Sequence, residues 1–295
     1  GIYTPIITPF KDSGEIDWDM YAEVIDWQIE NGVAGFIVGG STGEFYALSK
    51  EERIQQFEFA AERINSRVEF MAGVNDIRVD ECLQISSAAV DAGAKSLLVA
   101  APPYSLPSEE ELANHVLEIA NKTGLPIMLY NYPGRTGVEM GENFLDIVAN
   151  NPLIAAIKES SGDYSRLPLL SNNYSSIELA VGGEEQVLEF AAWGAKSWVC
   201  ATANFFPSEC VQLMDILGKQ SDFEKGRRLM AAFMPLMKAL EQGGKFLQCV
   251  KLGCEQQGRP SGKVRLPLLP IEDSLRKEMI GVIDKTRSSL HSILN

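Results

Sequence analysis

Histidine is nearly missing from this chain of 295 residues: only His115 and His291 occur, far apart in sequence. Zinc or iron sites built on imidazoles need several such ligands, so no metal is expected, and a metal-dependent aldolase fits poorly. Positive charge is also scarce, because Lys+Arg 26 against Asp+Glu 40 leaves a net charge of −14. Phosphate backbones and anionic membranes are gripped by basic patches, so neither a nucleic acid nor a membrane is expected as a partner. No apolar run approaches the roughly 18 residues that a membrane span needs. The five cysteines, Cys82, Cys200, Cys210, Cys249 and Cys254, are odd in number and none forms a CxxC pair. That pattern fits free core thiols in a reducing, cytoplasmic compartment. The opening Gly1-Ile-Tyr-Thr-Pro5 lacks a basic region followed by an apolar core, so no signal peptide is expected.

What the chain does contain is ordinary globular composition, 45% hydrophobic and 22% charged. Eight short apolar runs recur at Tyr3–Ile7, Gly35–Gly40, Val68–Val74, Ser96–Ala101, Pro126–Tyr132, Ile154–Lys158, Ile177–Gly183 and Ser197–Ala201. Runs of this kind read as strands of a parallel sheet buried on both faces. Helical patterns lie between them. Asp17 is placed to cap a helix over Trp18–Glu30, and Ser49-Lys-Glu-Glu52 and Ser108-Glu-Glu-Glu111 are capping boxes. Gly-Ala-Lys-Ser occurs twice, at 93–96 and 194–197, each time between a helix pattern and the next strand. Eight such units predict an α/β fold, a (β/α)8 TIM barrel, whose active-site residues gather at the C-terminal strand ends. An open doubly wound sheet is the alternative, but its usual glycine fingerprint is absent. After about Asn204 the pattern turns helical, over Ser221–Leu240, Phe246–Gln257 and Ile271–Leu294, with a break at Gly243-Gly244. The expected division is a barrel catalytic domain over 1–220 and a helical region over 221–295 packed upon it.

The strand ends hold the candidate chemistry. Strand two ends in Gly39-Gly-Ser-Thr-Gly-Glu44, where backbone N–H groups at Gly40 and the hydroxyls of Ser41 and Thr42 could cradle a carboxylate. A turn that merely needs glycine explains the same residues. Strand five ends in Tyr130-Asn-Tyr-Pro-Gly-Arg-Thr-Gly137, where Tyr130 could relay a proton and Arg135 could clamp a carboxylate. A Pro-Gly turn with a solvated arginine is the plainer alternative. Strand six, Ile154-Ala-Ala-Ile-Lys158, puts a lysine at the end of a buried run. Burial disfavours its ammonium form, and a neutral amine can form a Schiff base with a ketone. Snorkelling to the rim is what most such lysines do, but Tyr130 on the neighbouring strand argues for chemistry here. Strand seven ends in Gly182-Gly-Glu-Glu185, whose paired carboxylates would repel a phosphate and which also reads as an acidic first helical turn. Tyr104, in a proline-rich loop after strand four, could pack on a partner subunit or join a proton relay.

Three of these motifs, Gly-Ser-Thr-Gly-Glu at 40–44, Tyr-Asn-Tyr-Pro-Gly-Arg-Thr-Gly at 130–137 and Ile-Lys-Glu-Ser-Ser-Gly-Asp at 157–163, resemble those of the dihydrodipicolinate synthase / N-acetylneuraminate lyase superfamily of class I aldolases. The resemblance runs from Thr4-Pro-Ile-Ile-Thr-Pro9 to Arg265-Leu-Pro-Leu-Leu-Pro270. It implies that Lys158 captures the keto carbon of pyruvate or another 2-keto acid, with no cofactor beyond that imine. It implies that Tyr130 shuttles protons and that Ser41 and Thr42 bind the keto-acid carboxylate. Tyr104 matches a tyrosine that reaches across a dimer, Arg135 one that holds the acceptor's carboxylate, and Gly183 and Cys200 positions that line the pocket. A homo-oligomer, a dimer or a tetramer of dimers, is implied too. Features point to different branches. Arg135 is synthase-like, suiting pyruvate plus aspartate semialdehyde. Ser41 is more typical of the sialic-acid lyases, which keeps an N-acetylneuraminate lyase-like activity as an alternative, and Tyr-Asn-Tyr-Pro also resembles the 2-keto-3-deoxygluconate aldolases, so a 2-keto-3-deoxy sugar acid aldolase or dehydratase stays open. The synthases usually carry Asn-Pro-Ile-Pro before a late lysine, where this chain has Gly244-Lys-Phe-Leu-Gln-Cys-Val-Lys251. They often have two adjacent tyrosines where this chain has Pro103-Tyr104, and an aspartate pair where it has Glu184-Glu185. A non-catalytic keto-acid-binding protein is the remaining alternative, since fold alone does not fix function.

Overall fold

Strand and helix alternate as the apolar periodicity requires. The computed structural model describes residues 1–242 and 244–295. Its strands are β1 (Ile2–Pro5), β2 (Gly35–Val38), β3 (Glu69–Gly73), β4 (Ser96–Ala100), β5 (Ile127–Asn131), β6 (Ile154–Glu159), β7 (Glu178–Val181) and β8 (Ser197–Val199). They pair in parallel and in order, and β8 closes on β1 through Ile2 opposite Trp198 and Tyr3 opposite Val199. The sheet is therefore a closed (β/α)8 barrel rather than an open doubly wound one.

Between the strands run α1 (Trp18–Glu30), α2 (Lys50–Ile64), α3 (Val79–Asp91), α4 (Glu109–Thr123), α5 (Pro133–Thr136), α6 (Glu142–Val148), α7 (Arg166–Asn173) and α8 (Val187–Ala192). The predicted starts hold: Asp17 accepts from the Met20 amide, and both capping boxes close reciprocally at Ser49/Glu52 and Ser108/Glu111. Both Gly-Ala-Lys-Ser glycines follow helix ends in the left-handed region, Gly93 at φ +92° and Gly194 at φ +85°, which a side chain would resist.

The core has two compartments. One fills the barrel lumen with a side chain from every strand after the first: Ile37, Met71, Leu98, Met128, Ala156, Ala180 and Val199, with Tyr3 and Tyr130 packed on them. The other lies between the barrel wall and its helices and is much larger. After β8 come α9 (Pro207–Gly218), α10 (Phe223–Gln242), α11 (Phe246–Glu255) and α12 (Asp273–Leu294). α10 packs on α12 and reaches the barrel through α8 and α9. The expected Gly243-Gly244 break includes Gly243, which lies outside the described residues. Among the described residues, no helix is long and apolar enough to cross a membrane.

All five cysteines are buried and free. Burial pushes every thiol upward, Cys82 and Cys254 to about 12 and Cys249 to about 11. The thiolate is the reactive form, so at pH 8 the native chain should resist iodoacetamide. Mass spectrometry should find no label before denaturation and five labels after it.

Candidate active site

The geometry follows from strand parity. Alternate residues of a strand face opposite sides of the sheet, and Ala156 and Met128 face the lumen. Two residues on, Lys158 and Tyr130 must face it too, at the C-terminal mouth. The register places them on one rung, which continues from Ala100 on β4 through Tyr130 and Lys158 to Ala180 on β7. Alanines on both sides leave room around the pair. Lys158 is only 7% exposed, and its Nζ lies 4.0 Å from the centre of the Tyr130 ring.

The next rung, Asn131 opposite Glu159, faces outward and is tightly bonded. Asn131 Nδ2 donates to both Glu159 oxygens, at 3.1 and 2.9 Å, and the Ser161 amide donates to Oε1 at 2.7 Å. Arg166 Nε donates to Glu159 Oε2 at 2.7 Å, while its other nitrogens reach Glu139 and the Met140 carbonyl. The Met140 amide returns to Asn131 Oδ1 at 3.0 Å. Glu159, Arg166 and Asn131 are all buried. This network pins the ends of β5 and β6 from behind, and so fixes the rung bearing Lys158 and Tyr130.

Around the mouth, the predicted residues separate. The Tyr132 ring lies tilted 5.9 Å from Tyr130, and the Arg135 guanidinium lies 5.9 Å from the Tyr132 ring, leading from the lysine to α5. Partial burial pushes the Tyr46 phenol up to about 12, with Glu44 adding to the shift and the Arg135 charge opposing it. Thr42 is buried and Ser41 exposed on the turn after β2. Gly40 accepts from the Gly43 amide at 3.0 Å within that turn. The turn is held from below, since Thr8 Oγ1 donates to the Gly43 carbonyl at 2.6 Å and Gln56 Nε2 to Thr8 Oγ1 at 2.7 Å. Gly183 opens a short turn over Glu184–Gln186 at the end of β7. Tyr104 does not join the group within one chain, being 94% exposed.

Cys200 and Glu184 take settings that the sequence did not show. The Cys200 side chain turns out of the lumen: its Sγ lies 3.5 Å from Cys210 on α9, in the outer core, and donates to Glu184 Oε2 at 3.7 Å. Parity is the reason, because Val199 is the β8 residue that faces inward. Glu184 stands in the acidic first turn that the sequence offered, but it is not turned to solvent. It is buried and accepts from the Ala201 amide at 2.6 Å, the Thr202 hydroxyl at 2.6 Å and the Thr202 amide at 3.3 Å. Burial pushes its carboxyl above the usual range, opposed by these donors and by the charge of Lys158. Glu185 beside it is exposed.

The sequence did not reveal the Glu159 network, the burial of Glu184 or a buried ion pair between Glu44 and Lys251. Only the quoted motifs hinted at them, as acids and an amide directly following site residues. No group of three His, Cys, Asp or Glu suited to holding a metal ion occurs among the described residues.

A model of the dihydrodipicolinate synthetase family matches residues 1–286. The chain belongs to that family. Members similar to it include the 4-hydroxy-tetrahydrodipicolinate synthase of Methanocaldococcus jannaschii, 34% identical over 96% of this chain and 97% of that one. The enzyme of the same name from Bacillus velezensis is 31% identical over 96% and 98%. Among solved structures, the 4-hydroxy-tetrahydrodipicolinate synthase of Methylacidiphilum fumariolicum superposes with a TM-score of 0.94 at 29% identity, covering 99% of this chain and 97% of that one. The dihydrodipicolinate synthetase family is one of lyase-type enzymes, and this chain is one of them.

Deleting one partner of a buried ion pair strands the other, at a cost of about 3–5 kcal/mol. Glu159→Ala should therefore destabilise the chain by about that much in urea unfolding. Glu185→Ala, exposed on the neighbouring strand end, should stay within about 0.5 kcal/mol of the parent.

Proposed function

We propose that this chain joins pyruvate to aspartate semialdehyde through a Schiff base on Lys158, as a 4-hydroxy-tetrahydrodipicolinate synthase. The observation that carries the reading is the lumen-facing rung that sets the buried Lys158 amine against Tyr130. The names of the relatives at 31–34% identity favour this acceptor.

Neutral Lys158 Nζ adds to the C2 carbonyl of pyruvate, forming a C–N bond and a carbinolamine. Loss of water, with Tyr130 and Thr42 or Ser41 carrying protons, gives the iminium. The iminium draws electron density from C3, which loses a proton to become an enamine carbon. That carbon attacks the aldehyde, and the aldehyde oxygen takes up a proton. Water or the acceptor's own amine then displaces Lys158. The imine is the electron sink, so neither metal nor organic cofactor is called for in this sequence.

Ser41, Thr42 and the Gly40 backbone are proposed to hold the keto-acid carboxylate, with Gly183 leaving space beside it. Arg135, exposed on α5 after β5, is proposed to hold the carboxylate of the aldehyde. A second reading, a 2-keto-3-deoxy sugar acid lyase or dehydratase, is favoured by Ser41 and by Tyr130-Asn-Tyr-Pro133. Exposed Tyr104 and Leu106, with Ile77 and Tyr46 on the two preceding strand-end loops, support a dimer in which Tyr104 completes the neighbouring site.

Borohydride treatment in the presence of pyruvate should fix a reduced pyruvyl adduct on Lys158, seen by peptide mass spectrometry, and Lys158→Ala should abolish it. An active parent with no adduct at Lys158 would refute the mechanism. Arg135→Ala should lower kcat/KM for aspartate semialdehyde by about 100-fold or more, in keeping with about 3 kcal/mol for a charge-assisted contact, and leave the adduct intact. Turnover of a sugar acid in preference to aspartate semialdehyde would select the second reading.

A further inference from the structure

The turn at 39–44 is rich in glycine, at Gly39, Gly40 and Gly43, and such a segment has no rigidity of its own. Its last residue is not a glycine, yet Glu44 stands in the left-handed region at φ +60°, a conformation that side-chain-bearing residues seldom adopt. Its carboxylate is fully buried. Lys251 Nζ on α11 lies 2.7 Å from Glu44 Oε1, and the Arg265 amide donates to Oε2 at 2.9 Å. Both partners come from the helical C-terminal region, more than two hundred residues away.

Those partners are themselves tied down. Lys251 Nζ also donates to the Lys263 carbonyl at 3.1 Å and sits 4.4 Å over the Phe10 ring. The Arg265 guanidinium takes both oxygens of Glu52, at 2.7 and 2.6 Å, and the Ala47 carbonyl at 2.9 Å. The turn is thus gripped at Glu44, just after it at Ala47, and on α2 at Glu52. The Glu44 amide passes this constraint back by donating to the Ser41 carbonyl at 3.1 Å.

We propose that Lys251 is a positioning residue for keto-acid binding: through Glu44 it fixes the turn that presents Ser41 and Thr42 to the keto-acid carboxylate. The inference rests on the keto-acid reading above and adds a residue from outside the barrel to it. Small displacements of a preorganised binding group cost large factors in affinity and rate. Lys251 touches no reacting atom, so its loss should weaken recognition of the carboxylate and leave the amine chemistry of Lys158 in place.

The test compares two ketones. Borohydride trapping on Lys158 is measured against pyruvate concentration, and against acetone, which lacks a carboxylate. In Lys251→Met the pyruvate concentration for half-maximal trapping should rise by about tenfold or more. Trapping at saturating pyruvate, and the acetone rate, should stay within about twofold of the parent. Lys251→Arg, which keeps the charge, should recover much of the pyruvate affinity. If Lys251→Met does not fold, the double variant Glu44→Gln/Lys251→Met removes both buried charges and should show the same selective loss. An unchanged half-saturation for pyruvate, or an equal loss with both ketones in a folded variant, overturns the proposal. Absence of any adduct in the unsubstituted chain sinks the keto-acid reading itself, and this proposal with it.

Discussion

The site depends on the two-residue alternation of β5 and β6 at adjacent rungs. On one rung Tyr130 and Lys158 turn into the barrel; on the next, Asn131 and Glu159 turn out into a buried hydrogen-bond network with Arg166. Neither rung could do its part alone. The inner pair needs a backbone that cannot slide, because a one-residue slip would exchange the inner and outer side chains. The outer pair supplies that resistance with charge-assisted bonds in a dry environment, where they are strongest. Stability and chemistry are kept on opposite faces of the same two strands.

Much of the fold could be read from residues alone. Parallel strands buried on both faces are near-continuous apolar runs, and each of the eight runs overlaps a strand. Their ends were less legible. Ile6 and Ile7 are as buried as the strand before them, but the Ile7 amide bonds to the Asn204 side chain instead of a neighbouring strand. At the end of β2 the apolar run continues into Gly39, whose φ of +72° breaks the ladder. Hydropathy reports burial, whereas a strand ends where its ladder of hydrogen bonds ends.

The candidate site shows the same division. Lys158 and Tyr130 were legible because a lysine closing an apolar strand is conspicuous. That Val199 and not Cys200 faces the lumen is a matter of one step of parity, which an apolar run such as Trp198-Val199-Cys200-Ala201 does not reveal. Glu184, Glu44 and Lys251 were hidden for a different reason. A charged residue in a helical or turn pattern looks solvated, and only the folded chain supplies the buried partner that lets it be otherwise. Tyr104 is conspicuous in both readings, as a large aromatic side chain held in open solvent on a loop of left-handed backbone.

The Glu44–Lys251 contact spans most of the polypeptide, and this bears on how the molecule is made. Synthesis proceeds from the amino terminus, so every barrel strand leaves the ribosome before α11 does. Until then Glu44 carries a charge with no counterpart to accompany it into the interior. A nascent barrel can close its sheet while the loop beside β2 stays unsettled, and that loop is set only when the trailing helices dock. Assembly of the mouth is therefore a late event in the life of each copy, withheld until α11 has followed all eight strands out of the ribosome.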